Sequence, residues 1–226
     1  QAIAALVQRP LGGLITLEKD GITDPAQLEG TTVGITGVPS DTAILNTIMT
    51  TAGADPSKAK VVTIGFNGVQ NLENGKISAF TGFWPADGVQ VEVDGFPTKI
   101  FRLDENGGPA YPGLVVFSTE EKVASDGPLL TAFLDATAKG YADVIADPAA
   151  GVASLLAENP AMDEEITTAQ MAAYGPLFQA DAPAYGVLDT TALQALSDYL
   201  VEQKLIDAPI APERFGTNAF LPSDGS

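Results

Sequence analysis

The sequence predicts an α/β protein whose first half alternates strands with short helices and whose second half is almost entirely helical. Two observations predict this class. Before Thr119, short β-branched runs such as TVGIT alternate with glycine-containing turns and with amphipathic stretches at helical spacing. After Thr119, apolar residues recur at helical spacing, and polar caps and Asp-Pro breaks divide the segment into several helices.

The first half contains a predicted βαβ unit. The predicted strands are LGGLITL, TVGIT, AKVVTIG, KISAFTGF, PTKIFRL and YPGLVVFS. Between TVGIT and AKVVTIG the chain has apolar residues at helical spacing, namely Ala43, Ile44, Ile48 and Ala52. Ser40 or Asp41 is the predicted N-cap of that helix, and Gly53 is its predicted end. A strand, helix and strand within about 30 residues form a parallel, right-handed unit.

In the second half, the pattern predicts helices that are broken at residues 126–128 and at residues 147–148. It predicts two further helices near residues 163–178 and 189–206. Their apolar faces need a sheet to cover. The first of them carries the apolar residues Leu130, Phe133, Leu134 and Tyr141. Few strands lie near these helices in sequence, which leaves two alternatives. Either they pack on the sheet of the first half, or part of their own sheet is absent from this chain.

Composition excludes several classes of function. With 29 acidic and 11 basic residues, the net charge of -18 repels nucleic acids and anionic membrane surfaces. No apolar run reaches the roughly 18 residues of a membrane span. The start, QAIAALVQRPLGGLITL, lacks a basic region and does not read as a signal peptide, although a signal removed before residue 1 stays open. The chain has no Cys and no His, which removes thiol nucleophiles, zinc sites of the Cys/His type and Ser-His-Asp triads. An enzyme that uses Asp, Glu, Lys or Tyr stays open, but the commonest general base is missing, and we expect a protein without catalysis, cofactor or metal.

Two stretches are candidates for ligand contact. GFWPADGV, residues 82–89, places the only tryptophan, Trp84, at the end of a strand. Its ring either caps the edge of the core or forms one wall of a ligand site, where aromatic rings stack flat ligands. TGVPSD, residues 36–41, precedes a helix, so its N–H groups are suited to an anion or a ligand carbonyl. The alternative is an ordinary turn between strand and helix, and Asp41 argues against a phosphate.

Five stretches together carry a resemblance to a known family. They are ALVQRPLGGLITL, LEGTTVGITG, LENGKISAFTGFW, YPGLVVFS and FLDATAKGYADVIADP. In this order and spacing they resemble the NMT1/THI5-like periplasmic substrate-binding proteins of ABC importers, from residue 1 to about residue 160. One departure is Ser78, where the family has an Asp. A larger departure is the missing N-terminal segment of the family, which builds half of one lobe.

The resemblance implies the fold of a type II periplasmic binding protein. Such a protein has two α/β lobes, a hinge of two crossing strands and a ligand in the cleft between the lobes. Lobe 2 would span residues 14–117. Residues 1–13 and 118–226 would form the remaining, mostly helical part of an incomplete lobe 1, and the crossings would fall near Pro10–Gly13 and Tyr111–Ser118.

The resemblance also implies a function without catalysis. The chain would capture a small heteroaromatic nutrient and pass it to an ABC permease, acting as a monomer in a periplasmic or extracellular location. The first candidate ligand is a thiamine pyrimidine precursor such as hydroxymethyl- or formylaminopyrimidine. Riboflavin is the second candidate, and sulfonate- or nitrate-type anions are the third. A lipid anchor on the missing N-terminal segment stays open. A pyrimidine synthase is a further alternative, but that chemistry depends on His and Cys. The last alternative is a structural or regulatory module that keeps the fold but has lost the ligand.

The candidate ligand-binding residues lie in the two stretches above and at the implied crossings. They are Trp84, Gly37, Ser40, Asp41, Thr42, Gln8, Arg9, Tyr111, Asn67 and Asp87. Several have a structural alternative. A hinge salt bridge is open for Arg9, a helix cap for Asn67, and a turn for Tyr111 and for Asp87.

Overall fold

The computed structural model describes residues 1–222, which divide into two compact units. The first unit comprises Gln1–Arg9 and the residues from Ala110 onwards. The second unit comprises Pro10–Pro109. The predicted α/β class is confirmed, because strands and short helices alternate before Thr119 and helices dominate after it.

The strands form one sheet in each unit. In chain order they are β1 Ala2–Val7, β2 Gly12–Leu17, β3 Thr32–Ile35, β4 Lys60–Thr63, β5 Ala79–Phe83, β6 Thr98–Arg102 and β7 Leu114–Phe117. β1 and β7 make an antiparallel two-stranded sheet in the first unit. The second unit has a five-stranded sheet of order β4-β3-β5-β2-β6.

The helices lie mostly in the first unit. They are α1 Pro39–Thr51, α2 Gly68–Glu73, α3 Val89–Val93, α4 Glu120–Ser125, α5 Gly127–Ala146, α6 Pro148–Glu158, α7 Glu164–Gln179, α8 Thr190–Glu202 and α9 Pro212–Phe215. The breaks predicted at residues 126–128 and 147–148 are confirmed. Within residues 1–222, no helix combines the length and the apolar composition that crossing a bilayer requires.

The predicted βαβ unit is present in the second unit. β3 is parallel to β4, and α1 connects them. β3 is also parallel to β5, whereas β2 is antiparallel to both β5 and β6. One core cluster forms where α2 and α3 contribute apolar side chains to the sheet, and Ile15, Leu72, Phe80 and Val91 are buried there. The carboxyl ends of three parallel strands therefore lie along one edge of this sheet.

The first unit packs its helices on its own small sheet. Leu130 and Leu134 of α5 pack with Ile3 and Ala4 of β1 in one buried cluster. Phe133, predicted on the same apolar face, is 52% exposed. The two-stranded sheet thus covers only part of the helical apolar surface.

Strand β1 has no counterpart among the predicted strands. Its sequence AIAALV shows no alternation of polar and apolar side chains, and its three alanines are weak strand formers. Its pairing with β7 also places residues 114–117 in the first unit, whereas the expected lobe 2 ends at residue 117. The chain passes between the units at Arg9–Pro10 and at Pro109–Ala110.

Candidate functional site

A cavity of about 320 Å³ lies in the second unit, at the carboxyl ends of β3, β4 and β5. The start of α1, the loop after β4 and the turn after β5 surround it. Its lining is Thr36, Val38, Ser40, Asp41, Ile44, Gly65, Phe66, Gly68, Phe80, Thr81, Gly82, Phe83, Ala86 and Asp87. Ligands of open α/β sheets bind in the crevice outside the carboxyl ends of parallel strands, so the fold itself favours this position.

The loop after β3 is held by Asp41. Its Oδ2 accepts hydrogen bonds from the Thr36 N–H at 2.7 Å, from Thr36 Oγ1 at 2.5 Å and from the Gly37 N–H at 3.3 Å. Asp41 is buried. Its carboxylate therefore shapes the wall of the cavity, and the acceptor capacity left for a ligand is small.

The predicted N-cap of α1 is wrong. The helix begins at Pro39 after Val38, and neither Ser40 nor Asp41 is the cap, because Asp41 bonds back to the preceding loop. Ser40 lies in the first turn, exposed, and lines the cavity. Gly37, with φ +106°, and Thr42 are exposed neighbours that do not belong to the described lining.

Aromatic side chains form much of the wall. Phe80 is buried under the cavity, while Phe83 and Phe66 are 47% and 94% exposed. The backbone of Gly68 lies so close to Phe80 that a Cβ there would be 2.3 Å from its ring. The cavity thus offers apolar ring faces to a ligand, which is the usual composition of small-molecule sites.

The polar residues of the lining include Thr81 and Asp87. Burial raises the pKa of Asp87, and the hydrogen bond that its Oδ2 accepts from the Phe83 N–H at 2.7 Å partly opposes this. The Thr81 hydroxyl is buried and has no hydrogen-bond partner among the described residues. No Lys or Arg belongs to the described lining. The site therefore suits a neutral ligand with hydrogen-bonding groups and is unfavourable for an anion.

Trp84 lies beside this cavity and outside its described lining. Its indole Nε1 donates to the Pro10 carbonyl at 3.4 Å, and the Arg102 guanidinium carbon lies 4.5 Å from the ring centroid. Asp104 holds Arg102 in turn, at 2.8 Å. One ring face is therefore occupied by the guanidinium, which favours the core-edge alternative for this residue.

Three candidates lie in the first unit, whereas the cavity lies in the second. Gln8 Nε2 donates to the Val187 carbonyl at 3.0 Å, and Arg9 forms an ion pair with Asp181. The ion pair corresponds to the structural alternative for Arg9. Tyr111 is half-buried in the segment before β7. The ligand roles of these three residues stay predictions.

Asn67 occupies the N-cap position of α2, but its side chain makes no capping bond. Its Nδ2 donates backwards to the Ile64 carbonyl at 3.2 Å. Asn67 therefore holds the predicted N-cap position, but its side-chain amide closes the preceding turn and does not cap the helix. The turn brings the neighbouring Phe66 to the cavity.

Sequence reasoning missed several lining residues, above all Phe66, Thr81 and Phe83. A signal for the two phenylalanines exists. Phe66 follows β4 and Phe83 ends β5, and the carboxyl ends of parallel strands are where ligands bind, whereas Thr81 lies inside β5. A second cavity, of about 830 Å³, lies between α5, α6 and α7 in the first unit. Its lining is mostly aliphatic, with Asp147, Glu164 and Thr168 as its polar residues and no aromatic side chain among the described lining.

Residues 1–151 match the family described as NMT1/THI5 like. The chain is 30% identical to a formylaminopyrimidine-binding protein of Halalkalibacterium halodurans over 148 residues, which are 65% of this chain and 45% of that protein. It thus spans less than half of that relative. It is also 25% identical to a 4-amino-5-hydroxymethyl-2-methylpyrimidine phosphate synthase of Legionella pneumophila, over 98% of this chain and 69% of the synthase.

Solved structures share the fold. The alkanesulfonate-binding protein of Xanthomonas axonopodis pv. citri, bound to MOPS, superposes with a TM-score of 0.70 at 13% identity, covering 95% of this chain and 73% of that one. The aliphatic sulphonate-binding protein of Escherichia coli gives a TM-score of 0.67 at 13% identity, over 93% and 68% of the two chains. The expected fold of a periplasmic binding protein is confirmed.

Proposed function

The chain belongs to the NMT1/THI5-like family, and from this membership we propose that it is the substrate-binding component of an ABC import system. The proposed ligand is a small heteroaromatic nutrient, a thiamine pyrimidine precursor such as hydroxymethyl- or formylaminopyrimidine. The relative named as a formylaminopyrimidine-binding protein supports this choice, since it is similar over 65% of this chain.

The composition of the Asp87 cavity is the observation that carries the proposal. Exposed phenyl rings of Phe66 and Phe83 offer flat apolar contact, which a heteroaromatic ring fills at low entropic cost. The Asp87 carboxyl and the unpartnered Thr81 hydroxyl supply directional hydrogen bonds. An aminopyrimidine has both a donor amine and acceptor ring nitrogens, so it satisfies a carboxyl and a hydroxyl at once.

The cavity favours this ligand over the two alternatives. A volume of about 320 Å³ is near the low end for ligand pockets and suits a single substituted ring better than the fused rings of riboflavin. Sulfonates and nitrate carry a full negative charge. They would meet Asp41 and Asp87 with no cation in the described lining, which is electrostatically unfavourable.

A catalytic role has less support. The relative named as a pyrimidine phosphate synthase raises it, at 25% identity. The chemistry implied by the synthase resemblance depends on histidine and cysteine, and this sequence has neither. We therefore propose binding without catalysis.

The remaining parts of the proposal follow from this role. An importer component passes its ligand to an ABC permease and works outside the inner membrane, so we propose a periplasmic or extracellular location. We also propose that the protein acts as a monomer. A lipid anchor is compatible with this role and is part of the proposal only as an alternative.

Isothermal titration calorimetry of this chain tests the proposal. The panel is formylaminopyrimidine, 4-amino-5-hydroxymethyl-2-methylpyrimidine, riboflavin and an alkanesulfonate. We expect saturable binding of at least one pyrimidine and none of the sulfonate. Replacing Asp87 by Asn should weaken pyrimidine binding about tenfold, because one charge-assisted hydrogen bond is worth about 1.5 kcal/mol or more.

Asp20→Ala is the matched control. Asp20 is an exposed carboxylate of the same unit and lies outside the cavity lining, so this variant should bind like the wild type. Binding of the sulfonate alone would replace the proposed ligand class. Failure of every compound to bind would overturn the proposal.

A further inference from the structure

Phe66 is the most exposed large hydrophobic side chain described in the chain, at 94%. Phe80 and Phe101 of the same unit are 3% and 5% exposed. Leaving a phenyl ring in water forgoes the favourable free energy of its burial. An exposed aromatic residue that also lines a cavity calls for an occupant of that cavity.

The turn that carries Phe66 is fixed by its neighbours. Gly65 has φ +58°, a left-handed conformation that glycine adopts without strain. The Ile64 carbonyl accepts from both the backbone N–H of Asn67, at 3.4 Å, and its Nδ2, at 3.2 Å. The backbone of Gly68 then lies directly against the ring of Phe80. The turn therefore holds Phe66 away from the core, at the mouth of the cavity.

The cavity already has a second exposed aromatic wall. Phe83 ends β5, and its N–H is bound by Asp87 at 2.7 Å, which fixes the backbone on that side. Phe66 comes from the loop after β4. Phe66 and Phe83 thus line one cavity from two separate segments, the loop after β4 and the end of β5. Thr81 and Asp87 belong to the same lining.

We propose that Phe66 is a specificity-determining residue that covers the bound ring and selects flat, uncharged ligands. This inference rests on the proposed function and adds to it a residue that the sequence did not indicate. Contact with the ligand would bury a side chain that is otherwise exposed, so Phe66 would contribute to binding without contributing to the stability of the free protein.

The test compares three variants of this chain by calorimetry, with formylaminopyrimidine and 4-amino-5-hydroxymethyl-2-methylpyrimidine as the probes. Phe66→Ala should weaken binding of the preferred pyrimidine at least about tenfold, because both the burial of the ring and its stacking on the ligand are lost. Phe66→Tyr keeps the ring and should stay within about threefold of the wild type. Phe117→Ala removes another exposed phenylalanine, 78% exposed in the other unit, and should bind like the wild type.

Two further measurements separate a loss of ligand contact from a loss of folding. The urea midpoint of Phe66→Ala should equal that of the wild type, because a 94% exposed ring adds little to folding. Phe66→Trp should give a ligand-dependent change in fluorescence beyond that of Trp84 alone, whereas Phe117→Trp should not.

The outcomes separate the two claims. If the wild type binds none of the panel, the proposed function is wrong, and this inference is overturned with it. If the wild type binds a pyrimidine and Phe66→Ala binds it equally well, this inference alone is overturned. Selective weakening in Phe66→Ala, with Phe66→Tyr and Phe117→Ala near the wild type, supports it.

Discussion

Replacing Asp41 by Ala should destabilise the second unit. The Asp41 Oδ2 is the common acceptor for the Thr36 N–H, the Thr36 hydroxyl and the Gly37 N–H, at 2.7, 2.5 and 3.3 Å. Alanine accepts none of these bonds, so the donors of the loop after β3 must find water. The wall of the cavity beside α1 would lose its main support.

The size of the effect follows from these contacts. A hydrogen bond to a charged group is worth about 1.5–3 kcal/mol. Only the two bonds from Thr36 are short, and water reaches the half-exposed loop once the carboxylate is gone. Removing a buried carboxylate also recovers some desolvation free energy. We therefore expect a loss of about 2–3 kcal/mol in the free energy of unfolding.

Trp84 makes the measurement specific. It is the only tryptophan of the chain and lies in the second unit, so its fluorescence reports the unfolding of that unit. With a urea slope of about 2 kcal/mol per molar, the midpoint of Asp41→Ala should fall by about 1 M or slightly more. Asp20→Ala, an exposed carboxylate of the same unit, should leave it unchanged.

Equal midpoints for Asp41→Ala, Asp20→Ala and the wild type would refute the reasoning. They would mean that the three hydrogen bonds contribute nothing net, and that Asp41 is free to serve as a ligand group. A lower midpoint with a changed slope would instead point to a broken two-state transition.

Three further predictions follow from the packing and from the titrating groups. Gly68→Ala should lower the free energy of unfolding reported by Trp84 fluorescence by about 1–3 kcal/mol, because the added Cβ would lie 2.3 Å from Phe80. Gly140→Ala, which has open space around it in α5, should raise the free energy of unfolding of the first unit, followed by circular dichroism, by up to about 1 kcal/mol. Burial raises the pKa of Asp87. The stability contribution of this carboxyl is therefore complete below its ordinary pKa of 3.8 and is lost as pH rises through the raised pKa. Asp87→Asn should gain stability relative to the wild type over this pH range, and a difference between their urea midpoints that does not change with pH would contradict this. Burial likewise raises the pKa values of Tyr141 and Tyr185. An absorbance titration should therefore show that some of the five tyrosines ionise only when the protein unfolds at high pH. Ionisation of all five tyrosines in the native protein would contradict this prediction.

Local signals explain which parts of the fold could be predicted. The strand β3, the helix α1 and the strand β4 were predictable because β-branched runs, helical spacing and a glycine stop agree there. The breaks at Gly127 and Pro148 were predictable because proline at the start of a helix and the preceding aspartate mark boundaries. In contrast, β1 is a strand only because it pairs with β7 more than 100 residues later, and no local pattern encodes that pairing.

The candidate site shows the same limit. Asp41 lies where a helix cap is expected, yet its carboxylate accepts three hydrogen bonds from Thr36 and Gly37 in the preceding loop. Trp84 was the conspicuous residue, but the placement of Arg102 over its ring depends on β6, which lies two strands from β5 in the sheet. Phe66 gave no local signal of its own, because only the order of the parallel strands brings the loop after β4 beside Phe83.

The most direct test of the account is a crystal structure of this chain grown with formylaminopyrimidine. We expect density for one ring in the second unit, against Phe66 and Phe83, with a ligand nitrogen within hydrogen-bond distance of Asp87 or Thr81. Density for the pyrimidine at any other place, with this cavity filled only by water, would contradict the assignment of the site and the function built on it.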